Sequence, residues 1–263
     1  MIRKILHIAF LTGAVAGLLV LLGLTSGHNL QHRGSGLQVV VDRGCGNHFL
    51  EGEAIRKLVA GRLPGIDEEP AVEGRLKTVK QLVEGLPHVK RAAIYRTVNG
   101  DLRIEVSQRD PLIRVASGNG QGYYIDREGI TMPLSSNFTA RVMVAGGSIM
   151  TSYTQPVDLA ENKPAGQIMP AEQKLRNLFQ LASYIDSHPF WRSLIDQINV
   201  TPSGQFELMP MNGAHVIEFG GTDNMEEKFE KLALFYRAGI NKVGWNHYSR
   251  INLKYDKQVV CSR

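Results

Sequence analysis

The chain has 263 residues, 43% of them apolar and 21% charged, with a net charge of +5. That is enough apolar material to bury one large core or two smaller ones, and it excludes a disordered chain. Arg3 and Lys4 supply part of the excess charge; setting them aside leaves +3, and no basic stripe with interleaved aromatics appears, so nucleic acid is not an expected partner.

In chain order, residues 1–4 form a short basic tail. Residues 5–27, ILHIAFLTGAVAGLLVLLGLTSG, contain no Asp, Glu, Lys or Arg. A helix of ~20 apolar residues crosses the hydrocarbon core of a bilayer. A cleaved signal peptide has a shorter apolar run ending in an A-x-A-like site, whereas this run is longer and exits through Leu24-Thr25-Ser26-Gly27, which favours a retained anchor. Arg3 and Lys4 then keep the tail cytoplasmic and place the bulk of the chain outside. His7 falls near the start of the run, at the interface. Residues 28–36, HNLQHRGSG, read as a linker, and His28 and His32 lack a third metal ligand nearby.

Residues 37–108 carry a strand, helix, helix, strand, strand pattern. LQVVVD is the first strand. Ile55, Leu58, Val59 and Leu63 recur at helical spacing before Pro64-Gly65, and Leu76, Val79, Leu82, Val83 and Leu86 do so before Pro87. AAIYRTV and DLRIEVS flank Asn99-Gly100, a pair that predicts a hairpin with a type I′ turn. Two amphipathic helices of this length cover one face of a three-stranded sheet, which makes a small α+β domain.

Residues 109–263 read as a second, mostly antiparallel β-domain with two helices. Short strands appear at LIRVAS, YYID, ITMP and ARVMVAG, with GNGQG as a hairpin loop. Residues 151–170 are polar and proline-punctuated, a loop. A helix over 171–187 shows Leu175, Leu178, Phe179, Ala182 and Ile185 on one face, with Pro170 at its entry. Strands DQINV, QFELMP and AHVIEFG follow. Asp223 and Glu226 have the spacing of a capping box, opening a helix with Met225, Phe229, Leu232 and Phe235 buried and an end near Gly239. Trp245 and Tyr248 precede a final alternating strand, INLKYDKQVV, at 251–260.

Chemistry-bearing motifs are missing from the sequence: no G-x-S-x-G, S-x-x-K, H-E-x-x-H or Walker loop occurs. GNGQG has no helix after it to present amides to a phosphate. Asp126 and Glu128 are the residue types of paired acid and base, but in YIDREG they read as turn formers. His188 and His215 are isolated among the eight histidines. Cys45 and Cys261 lie on the exported side, where a bridge is permitted, and read as two unpaired thiols. No catalytic residue, cofactor, metal or small-molecule substrate is expected.

Several of these segments line up with one known family. Leu86-Pro87-His88-Val89-Lys90-Arg91-Ala92, LRIEVSQRDP at 102–111, Tyr124-Ile125-Asp126-Arg127-Glu128-Gly129 and Ile251-Asn252-Leu253-Lys254-Tyr255 resemble, in order and spacing, segments of the bacterial cell-division family FtsQ, also called DivIB. His88, Gln108 and Asn252 depart from that family's pattern, which bears on the domain junction more than on the fold. The resemblance implies a POTRA-type βααββ domain at 37–108, a β-domain at 109–263, and a non-enzymatic scaffold of the division septum in the inner membrane, with its bulk in the periplasm. It also implies FtsB and FtsL as partners.

A terminal strand at a sheet edge leaves amides and carbonyls open to pair with a partner's extended segment. On the residues alone, a guarded edge that binds nothing reads equally well; the resemblance favours docking. The partner-binding residues expected are Tyr248, Ile251, Asn252, Leu253, Lys254, Tyr255, Asp256, Lys257, Gln258, Val259 and Val260. The competing readings are a POTRA-bearing chaperone or translocation component and a signal-anchored hydrolase.

Overall fold

The structure, a computed structural model, describes residues 36–44, 46–66 and 73–263, together with Gly13, Gly17 and Val20, which are helical. The expected membrane helix at 5–27 otherwise lies outside the described residues, as do the linker histidines and Cys45. Among the described residues no helix is long and apolar enough to cross a membrane. The chain is α+β and forms two compact units, one built from 50–107 with the segment ending at Asp42, the other from 43–49 and 108–263. Residues 43–49, placed in the first domain by sequence, thus group with the second.

In the first unit β1 (Leu37–Asp42), α1 (Gly52–Arg62), α2 (Glu73–Glu84), β2 (Val89–Arg96) and β3 (Leu102–Gln108) follow in order. The sheet runs β1-β3-β2, with β1 parallel to β3. Ile55 and Val59 from α1 and Val79 and Val83 from α2 close over Leu102, Ile104 and Val106 of the central strand. These are the apolar positions that recur at helical and strand periods in the sequence. The β2–β3 turn differs from the type I′ expectation: Gly100 has φ +88° and Asn99 does not take positive φ, while the Thr97 amide donates to Asp101 O at 2.9 Å. Only one residue needs the left-handed region, as in a three-residue loop that ends on a glycine bulge.

The second unit contains β4 (Pro111–Ala116), β5 (Gly122–Asp126), β6 (Thr131–Pro133), β7 (Met143–Gly147), α3 (Pro170–Ser187), α4 (Pro189–Leu194), β8 (Ile195–Val200), β9 (Phe206–Pro210), β10 (Val216–Gly220), α5 (Met225–Phe235), a π-helical turn (Tyr236–Ile240), the short α6 (Asn241–Val243), β11 (Arg250–Asn252) and β12 (Val260–Ser262). They form one nine-stranded sheet in the order β12-β11-β10-β9-β8-β7-β4-β5-β6. The expected antiparallel sheet is corrected to a mixed one: β4–β7, β7–β8 and β10–β11 are parallel. A parallel join needs a crossover, and α3–α4 supplies it between β7 and β8, as α5 and the π turn do between β10 and β11.

The inner face of this sheet, with Ile113, Val115, Ala145, Ile198, Phe206, Leu208, Ile217 and Phe219, packs with Leu175, Leu178, Ala182 and Ile185 of α3 and Phe229 and Leu232 of α5. Arg176, 8% exposed, turns inward from α3 to bond the carbonyls of Asp158, Leu159 and Glu161 and the carboxylate of Glu172, which tethers the long loop after β7 to the helix. The helix after β10 starts one residue later than the capping-box spacing predicts. Asn224, at φ +46°, is its N-cap, with no side-chain cap bond, and Asp223 instead pairs with Lys228 at 3.1 Å.

Candidate functional site

The C-terminal segment folds as a hairpin of two short strands. Arg250, Ile251 and Asn252 of β11 pair in parallel with Val216, Ile217 and Glu218 of β10, and the Leu253 amide extends this ladder to Glu218 O at 3.0 Å. On its other side β11 pairs antiparallel with β12, with Ile251 opposite Cys261. The expected single edge strand over 251–260 is therefore corrected: β11 has neighbours on both flanks, and β12 is the outer strand. Ile251 and Leu253 are fully buried, because their side chains complete the apolar face that Ile217 and Phe219 begin. Their side chains are closed to a partner.

The remaining expected residues lie around the turn and the rim. Lys254, Tyr255, Asp256, Lys257 and Gln258 are exposed in the loop between the strands, and Val259 is half-buried against the core. Val260, 43% exposed, opens β12. Asn252 is half-buried, its Oδ1 accepting the Lys254 amide at 2.9 Å, which turns the chain out of β11. Lys257 completes the turn at φ +56°. Tyr248 stands before β11 with its ring 5.9 Å from that of Phe235 on α5.

Side chains far apart in sequence hold this hairpin on the outer face of the sheet. Arg250 reaches Glu218 Oε1 at 2.5 Å and Glu207 Oε1 at 2.7 Å. Glu218 also accepts from Asn252 Nδ2 at 2.6 Å and pairs with Lys254 at 3.1 Å, while Asn199 Nδ2 donates to Glu207 at 2.7 Å. The row ties β8, β9, β10 and β11 together. The Arg250 hydrogen bond, joined by that of Lys254, holds the Glu218 carboxyl below its ordinary range. From the helix side, Lys231 donates to Tyr255 O at 2.8 Å.

The sheet has two ends. At the β6 end the Thr131 amide bonds Val157 O at 3.0 Å, and Ile130 bridges to Asp158, so the loop after β7 occupies that edge. At the β12 end no further strand follows among the described residues. Ser262 O accepts the Ser249 amide at 2.9 Å, so the main chain of Ser262 faces β11. Alternation along a strand then turns the amide and carbonyl of Cys261 outward. Cys261 is a free thiol, and burial pushes its pKa up. Arg250, Lys254, Lys257 and Arg263 surround this rim, against Asp256.

Four contributors escaped the sequence reading: Cys261 and Ser262, which form the edge, and Lys231 and Glu218, which hold it. A three-residue strand is too short to show a period, and Glu218 meets Arg250 across 32 positions. Asp126, by contrast, behaves as a turn former. Fully buried, it accepts from Arg109 at 2.8 Å and from the amides of Glu128 and Ile130 at 2.9 and 2.8 Å, around Gly129 at φ +85°. Among the described residues no group of three His, Cys, Asp or Glu is placed to hold a metal ion.

A family model described as FtsQ/DivIB, C-terminal related, matches residues 110–262, the stretch that builds this sheet and its outer hairpin. The chain is also similar to the cell division protein FtsQ of Salinibacter ruber, 28% identical over 177 residues, which cover 66% of this chain and 64% of the relative. It is similar to the cell division protein FtsQ of Rhodothermus marinus as well, 25% identical over 178 residues, covering 66% of this chain and 60% of the relative. The matched stretch spans less than two thirds of either relative.

Proposed function

Because the chain belongs to the FtsQ/DivIB C-terminal related family of cell-division proteins, we propose that it is a non-enzymatic, single-pass membrane scaffold of the division septum whose β12 edge captures an extended segment of a divisome partner. In this reading residues 5–27 anchor the chain with its N-terminus in the cytoplasm, the first unit is a POTRA-type domain, and both units work in the periplasm. The partners are of the FtsB and FtsL type. Tyr248 and the loop residues 254–258 flank the docking strand, and Ile251 and Leu253 support it from below.

One observation carries the proposal: at one end the nine-stranded sheet stops on β12, with the main chain of Cys261 directed away from β11. An added strand gains main-chain hydrogen bonds there, and the basic rim selects for acid in it. The test is Cys261→Pro, which removes the outward amide and leaves the bonds to β11 in place. Expected are weakening of FtsB-type partner capture by ~10-fold or more, filamentous cells when the variant replaces the natural protein, and a midcell location for a fluorescent fusion of the unaltered chain. Undiminished capture by a folded Cys261→Pro protein sinks the β12 assignment, and depletion without a division defect sinks the scaffold.

A further inference from the structure

The first unit also ends on an open strand. Its sheet order, β1-β3-β2, leaves β2 outermost, and at eight residues it is far longer than β12. The Thr97 amide bonds Asp101 O, so the main chain of Thr97 faces β3. Alternation back along the strand turns the amides of Ala92 and Ile94 away from the sheet. The Ala92 amide meets the carboxylate of Glu84, the last residue of α2, at 3.2 Å. A carboxylate oxygen thus sits where the carbonyl of an added strand would sit.

Beside this edge runs a groove between helix and strand, about 620 Å³ in volume, lined by Gly74, Leu76, Lys77, Lys80 and Ile94. Leu76 and Ile94 give it an apolar floor and are only partly buried. An open strand next to a helix-walled groove suits an extended peptide, with main-chain bonds on one side and a pocket for alternate side chains on the other. The charge around it is one-sided: Lys77, Lys80, Lys90 and Arg91 stand against Glu84. A second copy of this chain pairing through its own β2 would bring Lys90 and Arg91 near like charges, which disfavours self-association.

We propose that the β2 edge and the α2 groove dock an extended acidic segment of another polypeptide, which adds as a fourth strand, displaces Glu84 from the Ala92 amide and seats an apolar side chain over Leu76 and Ile94. Glu84 guards the edge while it is empty, in the way that charged side chains protect sheet edges from indiscriminate pairing. The site belongs to the other compact unit from β12 and stands whether or not β12 binds.

The experiment uses the full chain in detergent micelles and a fluorescein-labelled octapeptide of alternating Glu and Val, read by anisotropy. Expected are saturable binding that Lys77→Glu with Lys80→Glu weakens ~10-fold, that Glu84→Ala tightens ~3-fold, and that N-methylation of alternate peptide amides abolishes. Cys261→Pro leaves it unchanged. The proposal is overturned if millimolar peptide gives no anisotropy change, if a Lys-Val peptide or the N-methylated one binds as well, or if Cys261→Pro rather than the lysine pair removes binding. Should Glu84→Ala not fold, the lysine variant and the N-methylated peptide decide the matter on their own.

Discussion

The ammonium of Lys231 on α5 lies 2.8 Å from the carbonyl oxygen of Tyr255 and 3.5 Å from that of Leu253, so one side chain from the helical layer grips the loop joining the last two strands. A charged donor on two otherwise solvent-facing carbonyls orders a segment whose own sequence, Lys254 to Gln258, has nothing to bury. Lys231→Met keeps the aliphatic stem and removes the donor. The expected loss is about 1 kcal/mol of stability, with faster amide hydrogen exchange confined to 253–262. Unchanged exchange there would show that the loop is held by other contacts.

Leu253 separates support of the edge from the edge itself. Its side chain is fully buried and its amide bonds Glu218 O, so Leu253→Ala opens a cavity under the hairpin and costs about 2–4 kcal/mol of global stability. Denaturant midpoints measure this. A loss below about 1 kcal/mol would mean that the core closes around the site.

Acid should loosen the hairpin. The Glu218 carboxyl, held below its ordinary value of 4.5 chiefly by Arg250, stabilises the fold while ionised. The unfolded chain takes up the proton first, so this contribution is present above pH 4.5 and is lost as pH falls through the lower folded value. Glu172, held down by Arg176 and Lys163, acts with the same sign. Chemical denaturation followed from pH 7 downward should therefore show an acid limb beginning below about 4.5 that is shallower in Glu218→Gln.

His215 adds a second, milder limb. It is buried, with Nε2 2.9 Å from the Tyr236 hydroxyl and its ring stacked near Trp245, and burial lowers its pKa from 6.5. Tyr236 is held protonated by its own burial, so neither of these neighbours carries a charge at neutral pH. A depressed histidine pKa means that the unfolded state binds more protons just below pH 6.5, and stability declines as pH falls below that value. His215→Gln, which keeps a polar group against Tyr236, should remove the decline between about pH 6.5 and 5. An identical slope in the variant would assign it elsewhere.

Local periodicity made much of this architecture legible. Leu102, Ile104 and Val106 alternate because one face of β3 meets two helices, and Leu175, Leu178, Ala182 and Ile185 recur because α3 lies on the sheet. What the sequence hid is what distance along the chain conceals. Parallel pairing of β10 with β11 depends on the crossover through α5, which no alternation reports. INLKY reads as an edge because its pattern is half-apolar, yet Asn252 and Arg250 are polar because they face the ion-pair row on the outer surface. The true edge, Val260-Cys261-Ser262, is too brief to carry a pattern at all.

The second unit is not contiguous, and that governs how the protein can be taken apart. Phe49 is 2% exposed and meets Tyr124 at 5.8 Å and Phe138 at 5.1 Å, while Asn47 bonds Asp110 and Gln108. A fragment cut to begin at residue 108 would leave an aromatic socket empty and two polar clasps undone. Dissection of the two activities proposed here therefore calls for point substitutions in the intact chain, since excising either half removes a stitch from the other's cloth.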